Sequence, residues 1–213
     1  MLFQNRQDAG RILAQSVATV PNLEDAVVLG LPRGGVPVAF EVARVCKLPL
    51  DVLVVRKLRV PDQPELAMGA LASGGAVVLN PDILRDLRVS DAVLHAVMEE
   101  EEQNLERQER AYRDHAQAVD LEGRTVILVD DGLATGASMR AAVRAVQARA
   151  RRIVLAVPVG AESSCRELES AVDLLICPHT PEPFEAVGRF YRDFEPTTDD
   201  EVRRLLAEAR GRQ

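Results

Sequence analysis

Two adjacent carboxylates follow an apolar run in the stretch VILVDDGLATGASM, residues 126–139. The run is mostly β-branched, which is typical of a buried strand, and Asp130 and Asp131 stand where that strand should end. Negative charge at the edge of a buried strand costs stability unless something there uses it. Carboxylates accept hydrogen bonds well from vicinal hydroxyls, so the pair indicates a ligand that carries hydroxyl groups.

The loop after this pair has the composition of a phosphate site. Gly132 and Gly136 permit backbone conformations that other residues disfavour, Thr135 and Ser138 supply hydroxyls, and a helical pattern follows from Met139. A helix start directs unpaired N–H groups and partial positive charge at such a loop. The loop has neither the GK[ST] of a Walker A motif nor the GxGxxG of a dinucleotide site. With the carboxylates it favours a phosphorylated sugar such as ribose 5-phosphate; the alternative is an ordinary strand–turn–helix.

Two further stretches place cations after apolar runs. In PRGG, Arg33 precedes Gly34 and Gly35, which let backbone amides approach an anion closely. In VVRK, Arg56 and Lys57 end a second apolar run. The alternatives are a glycine-rich strand–helix turn for the first stretch and solvated strand-end charges for the second.

The elements that must position these residues alternate between strand and helix patterns. Such alternation predicts an α/β fold with a mainly parallel sheet, in which ligands bind at the carboxyl ends of the strands. Strands are predicted at 26–31, 50–57, 126–129, 152–160 and 172–178, a hairpin at 70–80, and helices at 6–20, 36–46, 90–118, from 139, at 162–170 and to about 209. The length of 213 residues fits one domain, 1–213.

Composition narrows the class of protein. The formal net charge of −7 argues against nucleic acid as the main partner. The three cysteines form no CxxC pair and indicate reduced thiols, and His95, His115 and His179 show no metal-ligand spacing. No apolar run approaches the 18 residues of a membrane span, and the first residues lack a signal-peptide pattern. We therefore expect a cytoplasmic protein with no membrane or nucleic-acid partner.

The stretch VILVDDGLATGASM closely resembles the phosphoribosyl-pyrophosphate (PRPP) motif of type I phosphoribosyltransferases. The resemblance implies that family's fold, with helices on both faces of the sheet, a core at about 25–180 and a small C-terminal hood at about 178–213 that includes the N-terminal helix. It implies that Asp130 and Asp131 bind the ribose hydroxyls, directly or through water on Mg²⁺, the expected cofactor. It also implies a 5′-phosphate site formed by Ala134, Thr135, Gly136, Ala137 and Ser138.

The same resemblance extends to the other two stretches and to the hood. PRGG resembles the family's pyrophosphate loop, with a cis peptide expected at Pro32–Arg33, and VVRK would bring Arg56 and Lys57 to the pyrophosphate beside Arg33, Gly34 and Gly35. Residues 58–69 would then be a flexible lid. Base-binding residues are expected among the hood aromatics, namely Phe184, Phe190 and Tyr191; the alternative is that these aromatics close a small C-terminal core.

The function that follows is Mg²⁺-dependent phosphoribosyl transfer from PRPP to a nitrogen acceptor, which we expect to be a nucleobase or a similar compound. Asp130, Asp131, Arg33 and Lys57 are the expected catalytic residues, because they would fix the sugar and stabilise charge on the leaving pyrophosphate. The partners would be PRPP, the acceptor and a second copy in a homodimer. Two alternatives stay open: a PRPP-binding regulator without transfer activity, and a hydrolase or phosphorylase of a phosphorylated ribose.

Overall fold

A five-stranded parallel sheet forms the centre of the protein. The structure is a computed structural model that describes residues 2–114 and 116–211. The strand order is β2-β1-β6-β7-β8. These strands are β1 (Val27–Gly30), β2 (Leu50–Val52), β6 (Thr125–Val129), β7 (Arg152–Ala156) and β8 (Leu174–Ile176). Four residues of the predicted domain 1–213 lie outside the described residues: Met1, His115, Arg212 and Gln213. Of these, His115 belongs to the helix predicted at 90–118.

Helices cover both faces of this sheet, as predicted, because its strands are apolar on both sides. One face packs against α1 (Arg6–Val17), α2 (Gly35–Cys46) and α7 (Asp199–Arg210), and the other against α5 (Ala137–Gln147) and α6 (Glu162–Glu169). Successive side chains of a strand point to opposite faces. Accordingly Val28 and Ile127 join the first core, whereas Leu29 and Leu128 join the second.

A three-stranded antiparallel sheet with order β3-β4-β5 follows β2. It consists of β3 (Val55–Val60), β4 (Gln63–Ala72) and β5 (Ala76–Leu79), and leads to α3 (Pro81–Asp86) and α4 (Asp91–Arg113). The hairpin predicted at 70–80 is confirmed: β4 and β5 pair across a turn in which Gly74 and Gly75 have φ of 83° and 81°. Only glycine adopts such angles without strain.

The single strand predicted at 50–57 is wrong, because the chain changes sheets in its middle. β2 pairs with β1 only as far as Val52. The Val54 amide then donates to Ser73 Oγ at 2.8 Å, and Val55 begins the pairing with β4. One apolar run in the sequence therefore serves two sheets.

The segment 58–69, predicted as a flexible loop, instead forms most of the β3–β4 hairpin. Leu58 and Met68 are fully buried and Val60 is nearly so. Pro61 lies at the tip between the two strands, where it displaces no ladder hydrogen bond. Movement of this hairpin on ligand binding stays a prediction.

Residues 178–196, which we call the hood segment, contain a short 3₁₀ helix (Val187–Phe190) and pack on the start of the chain. The Leu2 amide donates to the Phe190 carbonyl and the Arg192 amide to the Phe3 carbonyl, both at 2.8 Å. Helix α7, which the sequence prediction included in the hood, packs into the main core through Val202, Leu205 and Leu206.

Candidate functional site

Asp130 and Asp131, the acidic pair, lie directly after β6. The Asp131 amide donates to Asp130 Oδ1 at 2.8 Å, and Asp131 Oδ2 accepts from Arg6 Nε at 2.8 Å. Burial raises the pKa of Asp130 well above its usual range, and the charge of Asp131 raises that pKa further. Burial also raises the pKa of Asp131, against the bond from Arg6, which lowers it. The pair is thus a concentrated acidic site in which a bound cation or hydroxyl groups would favour ionisation.

The Pro32–Gly35 segment, the basic loop, contacts the acidic pair directly, and its Pro32–Arg33 peptide is cis, as the resemblance implied. A Cβ added at Gly34 would lie 2.1 Å from Asp131 Oδ2. One added at Gly35 would lie 2.9 Å from Asp130 Oδ1. A side chain at Gly34 would displace the Asp131 carboxylate, and one at Gly35 would also meet the Val129 carbonyl oxygen at 2.8 Å.

Residues 134–138, the phosphate loop, lead into the start of α5. Gly136 has φ of 70°, and among the described residues no side chain caps the helix, so its first amides are left for a ligand. Thr135 is exposed and Ser138 is half-buried. The loop is anchored from behind, since the Leu133 amide donates to the Val159 carbonyl at 2.9 Å. The arrangement can bind an anion at a fixed backbone site.

The predicted cations differ in how freely they can reach an anion. Arg33 is half exposed, with its guanidinium 3.9 Å from Asp199 Oδ1. Arg56 Nε donates to Glu101 Oε2 of α4 at 2.7 Å. Lys57 is exposed on β3. An open cavity of about 740 Å³ is lined by Arg33, Arg56 and residues of α4. Lys57 and Arg33, whose ion pair with Asp199 is long, are thus more available to a ligand than Arg56, which has a close partner in Glu101.

The hood aromatics divide into a buried and a half-buried group. Tyr191 is 2% exposed between Phe3 and Phe194, and its hydroxyl donates to the Asp131 carbonyl at 2.5 Å. Its ring therefore offers almost no surface to a base. Phe184 and Phe190 are half-buried, with ring centroids 5.2 Å apart. Of the predicted base-binding residues, these two keep accessible surface.

Two contacts at the site escaped the sequence prediction. Arg6 reaches the acidic pair from α1, although nothing near it in sequence marks it as a site residue. Val187 of the hood segment covers Gly132, where an added Cβ would lie 2.5 Å from Val187 Cγ1. Only the folded chain brings these residues to the motif.

The acidic pair could supply some of the ligands of a Mg²⁺ ion but not a complete set. Within the described residues, no group of three or more histidine, cysteine or acidic side chains could hold a metal ion. Mg²⁺ is commonly bound through one or two carboxylates together with substrate phosphates. In the described part of the chain, every buried side-chain oxygen has a hydrogen-bond partner. Any carboxylate oxygen of the acidic pair without such a partner is therefore accessible to solvent.

The fold and site define a class of protein. The family model for the phosphoribosyl transferase domain matches residues 70–185. The match contains the acidic pair and the phosphate loop, and begins after the basic loop and Lys57. The chain belongs to the phosphoribosyl transferase domain family.

Particular relatives share almost the whole chain. Two Mycobacterium tuberculosis proteins, named "Putative phosphoribosyl transferase" MT0597 (strain CDC 1551 / Oshkosh) and Rv0571c (strain H37Rv), are each 47% identical over 209 residues, 98% of this chain. The chain spans about half of their length, 47%. The crystal structure of TT1426 from Thermus thermophilus is similar, with 42% identity, a TM-score of 0.83, and coverage of 98% of this chain and 99% of that one.

A more distant structure shares the fold alone. The AQ2163 protein from Aquifex aeolicus has 12% identity and a TM-score of 0.50, covering 86% of this chain and 78% of that one. In the described part of this chain, no helix combines the length and apolarity needed to cross a bilayer.

Proposed function

We propose that this protein transfers the phosphoribosyl group of PRPP to a nitrogen acceptor. The observation that carries the proposal is the contact of the basic loop with the acidic pair: Gly34 and Gly35 lie against the two carboxylates, beside an uncapped helix start. The acidic pair, the basic loop and the helix start thereby meet at one edge of the sheet, and each suits a different part of one ligand. PRPP has vicinal hydroxyls, a 5′-phosphate and a pyrophosphate at those parts.

Each part of the ligand has its own group of residues in this proposal. Asp130 and Asp131 accept hydrogen bonds from the ribose hydroxyls. Amides and hydroxyls of the phosphate loop hold the 5′-phosphate. Arg33, Lys57 and the amides of the basic loop hold the pyrophosphate, with Arg56 joining if it leaves Glu101. Mg²⁺, held by the acidic pair directly or through water, would neutralise charge on the pyrophosphate.

The reaction needs positioning and charge stabilisation rather than a protein nucleophile. A bond forms between the acceptor nitrogen and ribose C1 as the bond from C1 to the pyrophosphate oxygen breaks. Negative charge grows on the pyrophosphate, where Arg33 and Lys57 stabilise it. The acidic pair keeps the electron-poor sugar in place, and a β3–β4 hairpin that moves inward would exclude water.

The acceptor in this proposal is a nucleobase or a similar ring nitrogen. The half-buried Phe184 and Phe190 support it, because an aromatic ring can stack on a base. The free cysteines among the described residues suit a reducing compartment, and we propose the cytoplasm.

Turnover of PRPP with a panel of nucleobases, compared with water alone, tests the proposal. We expect pyrophosphate to be released only when a base is present, and we expect EDTA to abolish this release. Release with water alone would identify a hydrolase, and release of ribose 1,5-bisphosphate with phosphate a phosphorylase. Tight binding without turnover would identify a regulator.

A binding measurement checks the site separately. Asp130→Asn combined with Asp131→Asn should weaken the binding of PRPP by at least ~1.5–3 kcal/mol, the scale of charge-assisted hydrogen bonds. Calorimetry with Mg²⁺ present measures this change. Unchanged affinity in the double variant would remove the acidic pair from the proposed site.

A further inference from the structure

Arg6 is a mostly buried cation at the start of α1. Its side chain is 12% exposed, and its Nε donates to Asp131 Oδ2 at 2.8 Å, while the Asp131 side chain is 15% exposed. A charge-assisted bond in such a place is stronger than one in water. The orientation of the Asp131 carboxylate therefore depends on where Arg6 is held.

Arg6 is held by the hood segment. Its Nη1 donates to the Glu195 carbonyl at 2.7 Å, and its guanidinium carbon lies 3.9 Å above the centroid of the Phe194 ring. Phe194 in turn packs on Gly188, where an added Cβ would lie 2.8 Å from Phe194 Cδ1. The hood segment thus fixes the guanidinium from two sides.

Arg6 also lies beside the basic loop, because its Nε is 3.1 Å from where a Gly34 Cβ would stand. A single guanidinium consequently touches Asp131, the hood segment and the basic loop. A second connection runs in parallel, since the buried Tyr191 of the hood segment donates its hydroxyl to the Asp131 carbonyl. The hood segment and Asp131 are therefore joined at both the side chain and the backbone of Asp131.

We propose that Arg6 is a positioning residue that couples sugar binding at Asp131 to closure of the hood segment. This inference rests on the proposed function, because it assumes that Asp131 contacts the ribose. Sugar binding fixes the Asp131 carboxylate, the carboxylate fixes Arg6, and Arg6 holds Phe194 and Glu195 in the closed position. Coupling is reciprocal, so a closed hood also favours sugar binding.

Ribose 5-phosphate with Mg²⁺ is the probe, since it offers the hydroxyls and phosphate without the pyrophosphate or acceptor. Calorimetry measures its affinity, and hydrogen–deuterium exchange measures protection of the Arg192 and Asp193 amides, which donate to Phe3 and Gln4. The wild type should bind and show slower exchange at these amides. Arg6→Met should bind at least about tenfold more weakly and show no ligand-dependent slowing.

Two further variants separate positioning from folding. Arg6→Lys keeps a cation for Asp131 but lacks the fork that also reaches Glu195, so affinity should recover only in part while hood protection stays lost. Arg11→Met is the matched control, because Arg11 lies on the same helix, is 57% exposed and sits 3.9 Å from Glu41. It should behave as the wild type does.

The outcomes distinguish this inference from the proposed function. If the wild type binds and Arg6→Met keeps both affinity and hood protection, the coupling role is overturned and the proposed function stands. If Arg6→Met does not fold, Arg6→Lys decides: lost hood protection supports the role, and retained protection overturns it. If the wild type binds neither ribose 5-phosphate nor PRPP, the proposed function and the inference fail together.

Discussion

Replacing Gly34 with alanine would place a methyl group inside the contact between the basic loop and the acidic pair. The added Cβ would lie 2.1 Å from Asp131 Oδ2 and 2.8 Å from Asp131 Cγ. Contacts below 3.0 Å are essentially never seen for real Cβ atoms, so the carboxylate must retreat by roughly 1 Å. Its retreat is opposed by Arg6, which is itself fixed by Phe194 and Glu195.

The magnitude follows from the bond that this retreat breaks. The Arg6–Asp131 bond of 2.8 Å is charge-assisted, and such bonds contribute about 1.5–3 kcal/mol. If the ribose hydroxyls need Asp131 in its present orientation, Gly34→Ala should raise the dissociation constant of PRPP by about 10- to 150-fold. The melting temperature should fall as well, because the bond also stabilises the fold.

Calorimetry with PRPP and Mg²⁺ and a thermal melt measure the two effects. Gly211→Ala is the matched control, since its added Cβ would make only an ordinary contact, 3.7 Å from the Ala207 carbonyl oxygen. It should change neither quantity. Wild-type affinity and melting temperature in Gly34→Ala would refute the reasoning, because they would mean that the carboxylate can move without loss.

Three further predictions concern single charges. Asp130→Asn should raise the melting temperature at pH 7. The folded-state pKa of Asp130 lies above its usual 3.8, so ionisation of Asp130 destabilises the fold as the pH rises. In a series of melts at different pH, the gain should vanish below about pH 3.8. Asp51→Asn should cost about 1.5–3 kcal/mol in denaturant unfolding, because it removes the carboxylate that accepts from Arg113 Nε at 3.0 Å, while Glu109 still pairs with Arg113 at 2.8 Å; a loss below about 0.5 kcal/mol would contradict this. Lys57→Ala should lower kcat more than it weakens PRPP binding, since charge on the pyrophosphate grows as the bond breaks; a change in KM alone would contradict that role.

Periodicity predicted the central sheet because its strands are short, apolar and buried on both faces. Val126–Val129 is a run of four apolar residues, and the structure buries all of them in β6. The helices on both faces, which the resemblance implied, are confirmed. The 70–80 hairpin is confirmed for another reason, since Gly74 and Gly75 mark its turn, whereas Val77 and Leu79 of β5 are exposed. The roles of the site residues stay predictions, although the structure brings Asp130, Asp131, Gly34 and Gly35 together.

The β3–β4 hairpin could not be predicted because its pattern is irregular. The pairing of Leu58, Arg59 and Val60 with β4 shifts register at two successive steps. Such a bulge breaks the alternation of apolar and polar residues by which a strand is recognised. Pro61 and Pro64 then gave the segment the composition of a loop. Arg6 was unpredictable for a different reason, since its contact with Asp131 joins residues that are far apart in sequence.

The place of the site follows from the topology of the sheet. β1 and β6 are parallel neighbours, with Gly30 opposite Val129, so the basic loop and the acidic pair leave the sheet side by side. The helices that follow them diverge, because α2 packs in the core on one face and α5 in the core on the other. Divergence of this kind opens a crevice at the carboxyl ends of the two strands, where ligands of open α/β sheets bind. Gly34 and Gly35 pack directly against the two carboxylates at these strand ends, so a side chain at either glycine would overlap them.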